Sequence, residues 1–227
     1  MNIIQHTKEV IRTVRQQTNR AILFYSCGKD SITLIDLMSK EFDEVICVFM
    51  YFVKGLDHVE IFIKDLQKRY PNVKVIQKPH WNLTYIHKTG LYCVPDPKIK
   101  LKKLKDIDEE VRAETGIEWS FFGMKKADSL HRRVMLMGYE NESINEKTQK
   151  AYPLSLWRNG EVLAYIKNRN LPSPIIYGKK ASNGIGFNVD CLLFLRDRFP
   201  GDYERIINAY PMSEVILYQY DQQNGVK

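Results

Sequence analysis

One stretch constrains the fold more than any other: Ala21 to Met38, AILFYSCGKDSITLIDLM. Residues 21–25 are mostly apolar and read as a buried strand. Ser26-Cys-Gly-Lys-Asp-Ser31 interrupts the run, and Ile32, Leu34, Ile35 and Met38 then recur at helical offsets. A second strand follows over Glu44 to Phe52, rich in β-branched and aromatic residues. A helix over Asp57 to Tyr70 carries Val59, Phe62, Ile63 and Leu66 on one face, with Asp57 as candidate N-cap. Pro71-Asn72 ends it, and Val73 to Gln77 reads as a third strand. Strand, helix, strand, helix, strand within about sixty residues implies a parallel sheet with right-handed crossovers.

The remaining elements are less sharply marked. Residues 2–18 read as an amphipathic helix. A short segment runs from His80-Trp81-Asn82 to Gly90, and LYCVPDPK reads as a loop. Ile99 to Thr115 reads as one long charged helix, Ile117 to Phe122 as a strand and Asp128 to Leu136 as a helix. Residues 139–150 read as a hairpin or mobile loop. Val162 to Ile166 sits in a short helix, and Asn188 to Ala209 forms one or two more, punctuated by Pro200-Gly201. The expected fold class is therefore α/β: a doubly wound, mainly parallel sheet flanked by helices, with a helical C-terminal extension. The expected division is a nucleotide-binding domain over 1–180 and an extension of the same domain over 181–227.

A loop leaving the carboxyl edge of a parallel strand and entering a helix lies where doubly wound folds bind ligands. The amides of the first helical turn have no internal partners, and the helix dipole favours an anion there. Gly28 lets the backbone approach closely, Ser26 and Ser31 add hydroxyls, and Lys29 adds a positive charge, so the hexapeptide reads as a phosphate cradle. Asp30 repels phosphate unless it holds Mg2+ or caps the helix. The spacing is not that of a Walker A loop.

Charge and cysteines bound the function. The formal net charge of +7 favours anionic partners, nucleotides or nucleic acid. No run of eighteen apolar residues exists, so no membrane partner is expected, and the N-terminus lacks the layout of a signal peptide. Cys27, Cys47, Cys93 and Cys191 stand far apart, with no C-x-x-C pair, which argues against a zinc ribbon or local iron–sulfur ligand set and for reduced thiols in the cytoplasm. Cys93, on a proline-flanked loop beside basic residues, is the more credible reactive thiol. Cys27 reads as a spacer.

YSCGKDS resembles the PP-loop motif of the adenine nucleotide α-hydrolase superfamily, and the chain is most similar to its phosphoadenosine phosphosulfate reductase family. That family also takes in the small subunit of ATP sulfurylase and DNA-phosphorothioation relatives. Three further segments match in order: KIKLKKLK at 98–105, GMKKADSLHR at 123–132 and the block from Tyr152-Pro-Leu-Ser-Leu-Trp157 to Tyr177. The resemblance implies sulfur metabolism. It implies that Ser26, Cys27, Gly28, Lys29, Asp30 and Ser31 wrap the phosphates of ATP or phosphoadenosine phosphosulfate, with Asp30 on Mg2+. Phe49, at the end of the second strand, would lie near adenine. Lys125, Lys126, Ser129 and Arg132 would form an opposing clamp, and Lys29, Asp30 and Arg132 would be catalytic. Tyr177 with Gly178-Lys179-Lys180 reads as a lid.

The sequence also departs from that family. No cysteine follows Cys191, where the reductases carry a catalytic E-C-G-hydrophobic-His motif. The second strand ends Phe-Met-Tyr-Phe in place of Asp-Thr-Gly, and the loop where a family cysteine can follow Ile-Gly reads Asn183-Gly-Ile-Gly-Phe187. The expectation is thus a nucleotidyl- or sulfur-group transferase of the ATP pyrophosphatase type, reacting at the α-phosphate or the phosphosulfate. The alternatives are a nucleic-acid modifying thiolation protein, suggested by the charge, and a non-catalytic nucleotide sensor. A homodimer, a companion subunit and a nucleic acid or protein acceptor all stay open.

Overall fold

The computed structural model describes residues 2–177 and 186–225. In chain order these form α1 (Ile3–Arg15), β1 (Arg20–Phe24), α2 (Lys29–Met38), β2 (Glu44–Tyr51), α3 (Asp57–Arg69), β3 (Val73–Pro79), α4 (Leu83–Thr89), α5 (Leu104–Thr115), β4 (Ser120–Phe121) and α6 (Leu130–Met137). There follow β5 (Ile144–Asn145), β6 (Lys150–Ala151), α7 (Asn159–Asn168), α8 (Val189–Arg198), α9 (Pro200–Ala209) and α10 (Glu214–Asn224). The sheet order is β3-β2-β1-β4-β6-β5. β1 runs parallel to β2 and β4, and β4 parallel to β6, while β5 is antiparallel to β6. The α/β fold expected from the sequence is thus present: a mostly parallel six-stranded sheet flanked by helices.

The chain divides into two compact units. One comprises Met1–Phe49, Ile63–Ile76 and Glu110–Pro174; the other comprises Met50–Phe62, Gln77–Glu109 and Ile175–Lys227. The first holds the central strands. β1 is buried from Ala21 to Phe24, as a strand covered on both faces must be. Asn2 caps α1 by accepting from the Ile4 amide, and His6, Thr7, Val10, Ile11 and Val14 form its buried face. Thr7 hydroxyl donates to the Pro153 carbonyl and accepts from the Trp157 indole, both at 2.8 Å, which ties α1 to the loop after β6. The second unit holds α8, α9 and α10, which pack on one another.

Four expectations need correction. The helix expected over 99–115 begins only at Leu104. The Asp106 carboxylate accepts from the Lys103 amide at 2.6 Å, so the first turn starts there and the lysine-rich residues ahead of it stay non-helical. The strand expected over 117–122 is reduced to Ser120–Phe121, because only those residues pair with both β1 and β6. Asp57 is not the cap of α3 but its first residue. The cap is Asp202, whose carboxylate accepts from the Asp57 and His58 amides at 2.8 and 2.9 Å. α10, with Tyr218 exposed and only Leu217 buried, lies beyond the helices expected at the C-terminus.

Candidate functional site

In the sheet order, β2 and β3 lie to one side of β1, and β4 lies to the other. The chain therefore reverses its direction of travel across the sheet between β1 and β4. Ligands of open α/β sheets bind at the carboxyl ends of the strands at such a switch point. Two loops leave there: Tyr25–Gly28, between β1 and α2, and Phe122–Ser129, between β4 and α6.

The first loop is shaped by its own small side chains. The Ser26 amide donates to Ser31 Oγ at 3.2 Å, and the Ser31 hydroxyl donates to the Gly28 carbonyl at 3.0 Å. Ser31 is thereby spent on closing the loop, while Ser26 is exposed. Cys27 takes a left-handed φ of 56°, uncommon away from glycine, and is buried. Gly28 stands at the N-cap of α2 with no side-chain cap. Ile32 is the first residue to bond back, to the Gly28 carbonyl at 3.0 Å, so the amides ahead of it have no acceptor within the helix.

The second loop lies directly against this helix start. A Cβ at Gly123 would sit 3.0 Å from the Asp30 Cβ, so a larger residue would push the two loops apart by a few tenths of an ångström. Lys125 is 1% exposed. Its Nζ lies 2.7 Å from Asp30 Oδ1 and 3.0 Å from Asp128 Oδ1, as an ion held side-on between two carboxylates rather than along hydrogen-bond axes. Asp30 Oδ2 pairs at 3.1 Å with Lys29, which is also buried. Asp128 Oδ2 accepts from the Lys125 amide at 2.9 Å and from Arg132 Nη1 at 2.6 Å. Burial alone would raise the Asp128 carboxyl, but the bonds and charge of Lys125, with Arg132, hold it below the usual carboxylate range.

The result is a row of alternating charge: Lys29, Asp30, Lys125, Asp128, Arg132. It begins and ends on a cation, with three positive groups against two negative ones. The interior is compensated; the ends, beside the uncapped start of α2, can serve an arriving anion. Ser129 caps α6 by accepting from the Arg132 amide at 3.2 Å. Lys126 pairs with Glu142, and its amide donates to the Ser155 carbonyl at 2.9 Å, which anchors the loop to the segment after β6. Phe49 is buried in β2.

Sequence reasoning missed Asp128 and Gly123. Both stood inside a quoted motif. Asp128 is three residues after Lys125 and four before Arg132, the spacing at which one carboxylate meets both cations. Asp30 fits a metal ligand poorly, since both its oxygens already face ammonium groups. Among the described residues no cluster of three or more histidine, cysteine, aspartate or glutamate side chains could hold a metal ion. Gly178-Lys179-Lys180 and most of the Asn183–Phe187 loop fall outside the described residues. Among those described, no helix is long and apolar enough to cross a membrane.

A mostly parallel sheet with a glycine-containing strand-to-helix loop at its switch point is an α/β fold of the adenine nucleotide α-hydrolase-like type. Residues 20–206 match the family model of the phosphoadenosine phosphosulfate reductase domain, and the chain belongs to that family. It is 27% identical over 169 residues to adenosine 5'-phosphosulfate reductase of Oceanobacillus iheyensis, which covers 71% of this chain and 67% of the relative. It is 26% identical over 165 residues to the enzyme of the same name from Staphylococcus epidermidis, covering 69% and 65%. The chain thus spans about two thirds of the length of these relatives. A crystal structure of phosphoadenylyl-sulfate (PAPS) reductase from Candida auris, a phosphate complex, shares the fold, with a TM-score of 0.50, 16% identity and coverage of 73% and 80%. The named relatives are reductases, not the nucleotidyl- or sulfur-group transferases the sequence led us to expect.

Proposed function

We propose that this chain binds an adenylyl sulfate derivative, either adenosine 5'-phosphosulfate or phosphoadenosine phosphosulfate, at the carboxyl ends of β1 and β4, and acts on it as a sulfate-reduction-type enzyme. The observation that carries this reading is the row from Lys29 to Arg132 beside the uncapped start of α2. In this reading the amides of Lys29, Asp30 and Ser31, with the Lys29 ammonium, hold phosphate or sulfate oxygens. Arg132 reaches them from the other loop, and the backbone around Phe49 lies toward adenine. Ser26 supplies a hydroxyl at the rim, and Lys126 and Ser129 fix the loop that carries Arg132. The nucleotide site belongs to the 1–180 span.

The bond to break joins the bridging oxygen to sulfur. Negative charge then gathers on the departing nucleotide phosphate, where fixed cations and amides act most strongly. The sulfur of a thiol reductant bonds to the sulfate sulfur as that bond breaks, and a second thiol then displaces sulfite and forms a disulfide, so two thiols supply the two electrons. Asp30 and Asp128 serve as counter-ions that keep the cations in register, and no protein-held Mg2+ enters the scheme. ATP with Mg2+ is the rival ligand.

Thermal-shift titration with adenosine 5'-phosphosulfate, phosphoadenosine phosphosulfate and ATP plus Mg2+ separates these. A ligand at about 100 times its Kd adds roughly 2.7 kcal/mol, or about 5 to 10 °C in a chain of this size. The expected result is a shift with a phosphosulfate nucleotide that is largely lost in Lys29→Ala. A shift with ATP alone would replace the proposed substrate, and no shift with any of the three would remove the reading.

A further inference from the structure

The second compact unit contains a thiol that the nucleotide reading does not use. α4 ends at Gly90, which takes a left-handed φ of 69° and returns its amide to the Ile86 carbonyl at 2.9 Å. A Cβ at Gly90 would lie 2.8 Å from Pro95 Cδ, so the chain after the cap is folded back on itself. The Asp96 amide fastens that fold by donating to the His87 carbonyl at 2.8 Å. The turn brings Cys93 under the last turn of the helix that carries His87.

Cys93 Sγ lies 3.6 Å from His87 Nδ1, and His87 Nε2 lies 3.2 Å from the Tyr210 hydroxyl. Tyr210 in turn donates to the Phe52 carbonyl at 3.5 Å. The Cys93 thiol also lies 3.9 Å from the Ile86 carbonyl, a second acceptor for its proton. In the arrangement that uses the base, His87 Nε2–H donates to Tyr210, Tyr210 donates to Phe52, and Nδ1 keeps its lone pair toward the thiol; the opposite tautomer would place Nδ1–H against sulfur, a weak acceptor. Tyr210 keeps its proton across the working range, since burial, and after it the charge of Cys93, push it up to about 12. Cys27, Cys47 and Cys191 are buried; Cys93 is half-exposed.

A nucleophile within reach of a base, with the base oriented by a third group, is the arrangement of an activated thiol. We propose that Cys93 is a reactive thiol whose base is His87 and whose positioning residue is Tyr210, and that it exchanges with small anionic disulfides. In the step, Cys93 sulfur bonds to one sulfur of the disulfide and the S–S bond breaks. The other half leaves as a thiolate, and the Cys93 proton passes to His87 Nδ1, from which the leaving thiolate can recover it. The anionic preference follows from the loop beyond Cys93, where Lys98, Lys100 and Lys103 are exposed. This inference is independent of the nucleotide reading.

The test is stopped-flow reaction of the full chain at pH 7 with 5,5'-dithiobis(2-nitrobenzoate), an anionic disulfide, and with cystamine, a cationic one, the modified residue being located by mass spectrometry. Cys93 is expected to react first, at least about tenfold faster than in the same chain unfolded in urea. His87→Gln is expected to remove that advantage and Tyr210→Phe to reduce it a few-fold. The preference for the anionic reagent is expected to fall with salt. A native Cys93 slower than the unfolded one, or a rate untouched by His87→Gln in a variant with wild-type circular dichroism, overturns the proposal. Equal native-to-unfolded rate ratios with the two reagents, a ratio that cancels their different leaving thiols, overturn the anionic substrate class.

Discussion

The two units carry polar clusters built on opposite principles. At the ends of β1 and β4 the cluster is ionic: Lys125 lies between Asp30 and Asp128, with Lys29 and Arg132 at the extremities. In the second unit the cluster is held by a neutral imidazole. Burial pushes the His58 proton affinity down against the opposing pull of Asp202. His58 Nδ1 then donates to Asp202 at 2.6 Å, and Nε2 meets the Tyr177 hydroxyl at 3.0 Å. Asp202 stays ionised because it accepts from the Asp57 and His58 amides as well as the ring. In the proposed reading the ionic cluster keeps cations in place for an arriving anion. The other cluster spends its hydrogen bonds on joining α9 to the start of α3.

That contrast can be broken most forcibly at Lys125. Lys125→Met should leave two carboxylates facing each other and cost about 3 to 5 kcal/mol in urea unfolding. The cost should shrink in acid, where the carboxylates take up protons. Asp202→Ala should cost about 2 to 4 kcal/mol by the same measurement, because two amides and a buried imidazole lose their acceptor. Its cost should first grow as pH falls from 7, because His58 then takes up a proton beside Asp202 in the parent and beside no counter-charge in the variant, and should fall only once the Asp202 carboxyl, held below the usual range, is protonated. A cost that falls steadily from neutral pH in both variants would erase the distinction.

The two clusters were not equally legible in the sequence. Ser26 to Ser31 could be read directly, because a glycine and two serines between an apolar strand and a periodic helix leave few other geometries. Asp128 was missed because a carboxylate beside two lysines looks like a solvated helix start. Lys125 looked like an exposed phosphate ligand for the same reason, and its burial depends on the approach of Gly123 to Asp30. The partnership of His58 with Asp202 spans 144 residues and leaves no local signal. The lysines ahead of Leu104 misled in the other direction. Their spacing with Ile99 and Leu101 fits a helix, but the Asp106 cap decides where the helix begins.

A smaller effect sharpens the comparison in the second unit. His80 stacks on Phe52 at 4.5 Å and accepts from the Asn82 amide, and burial holds its imidazole down to about 4. The folded state therefore favours the neutral ring. This contribution is fully present above the unfolded value of about 6.5 and is lost as pH falls from there toward 4, with His58 acting in the same direction. Unfolding free energy should drop by about 1 to 2 kcal/mol across that window, and His80→Phe should flatten the decline. A decline of the same size in His80→Phe would assign it to other groups.

The central claim is that a phosphosulfate nucleotide seats at the start of α2. Amide NMR during titration with adenosine 5'-phosphosulfate or phosphoadenosine phosphosulfate tests it most directly. The account expects the largest shifts at Gly28, Lys29, Asp30 and Ser31 and at residues 123–132, with Lys29→Ala weakening affinity about 10- to 100-fold. Saturable shifts confined to other parts of the chain, or undiminished affinity in Lys29→Ala, would contradict it.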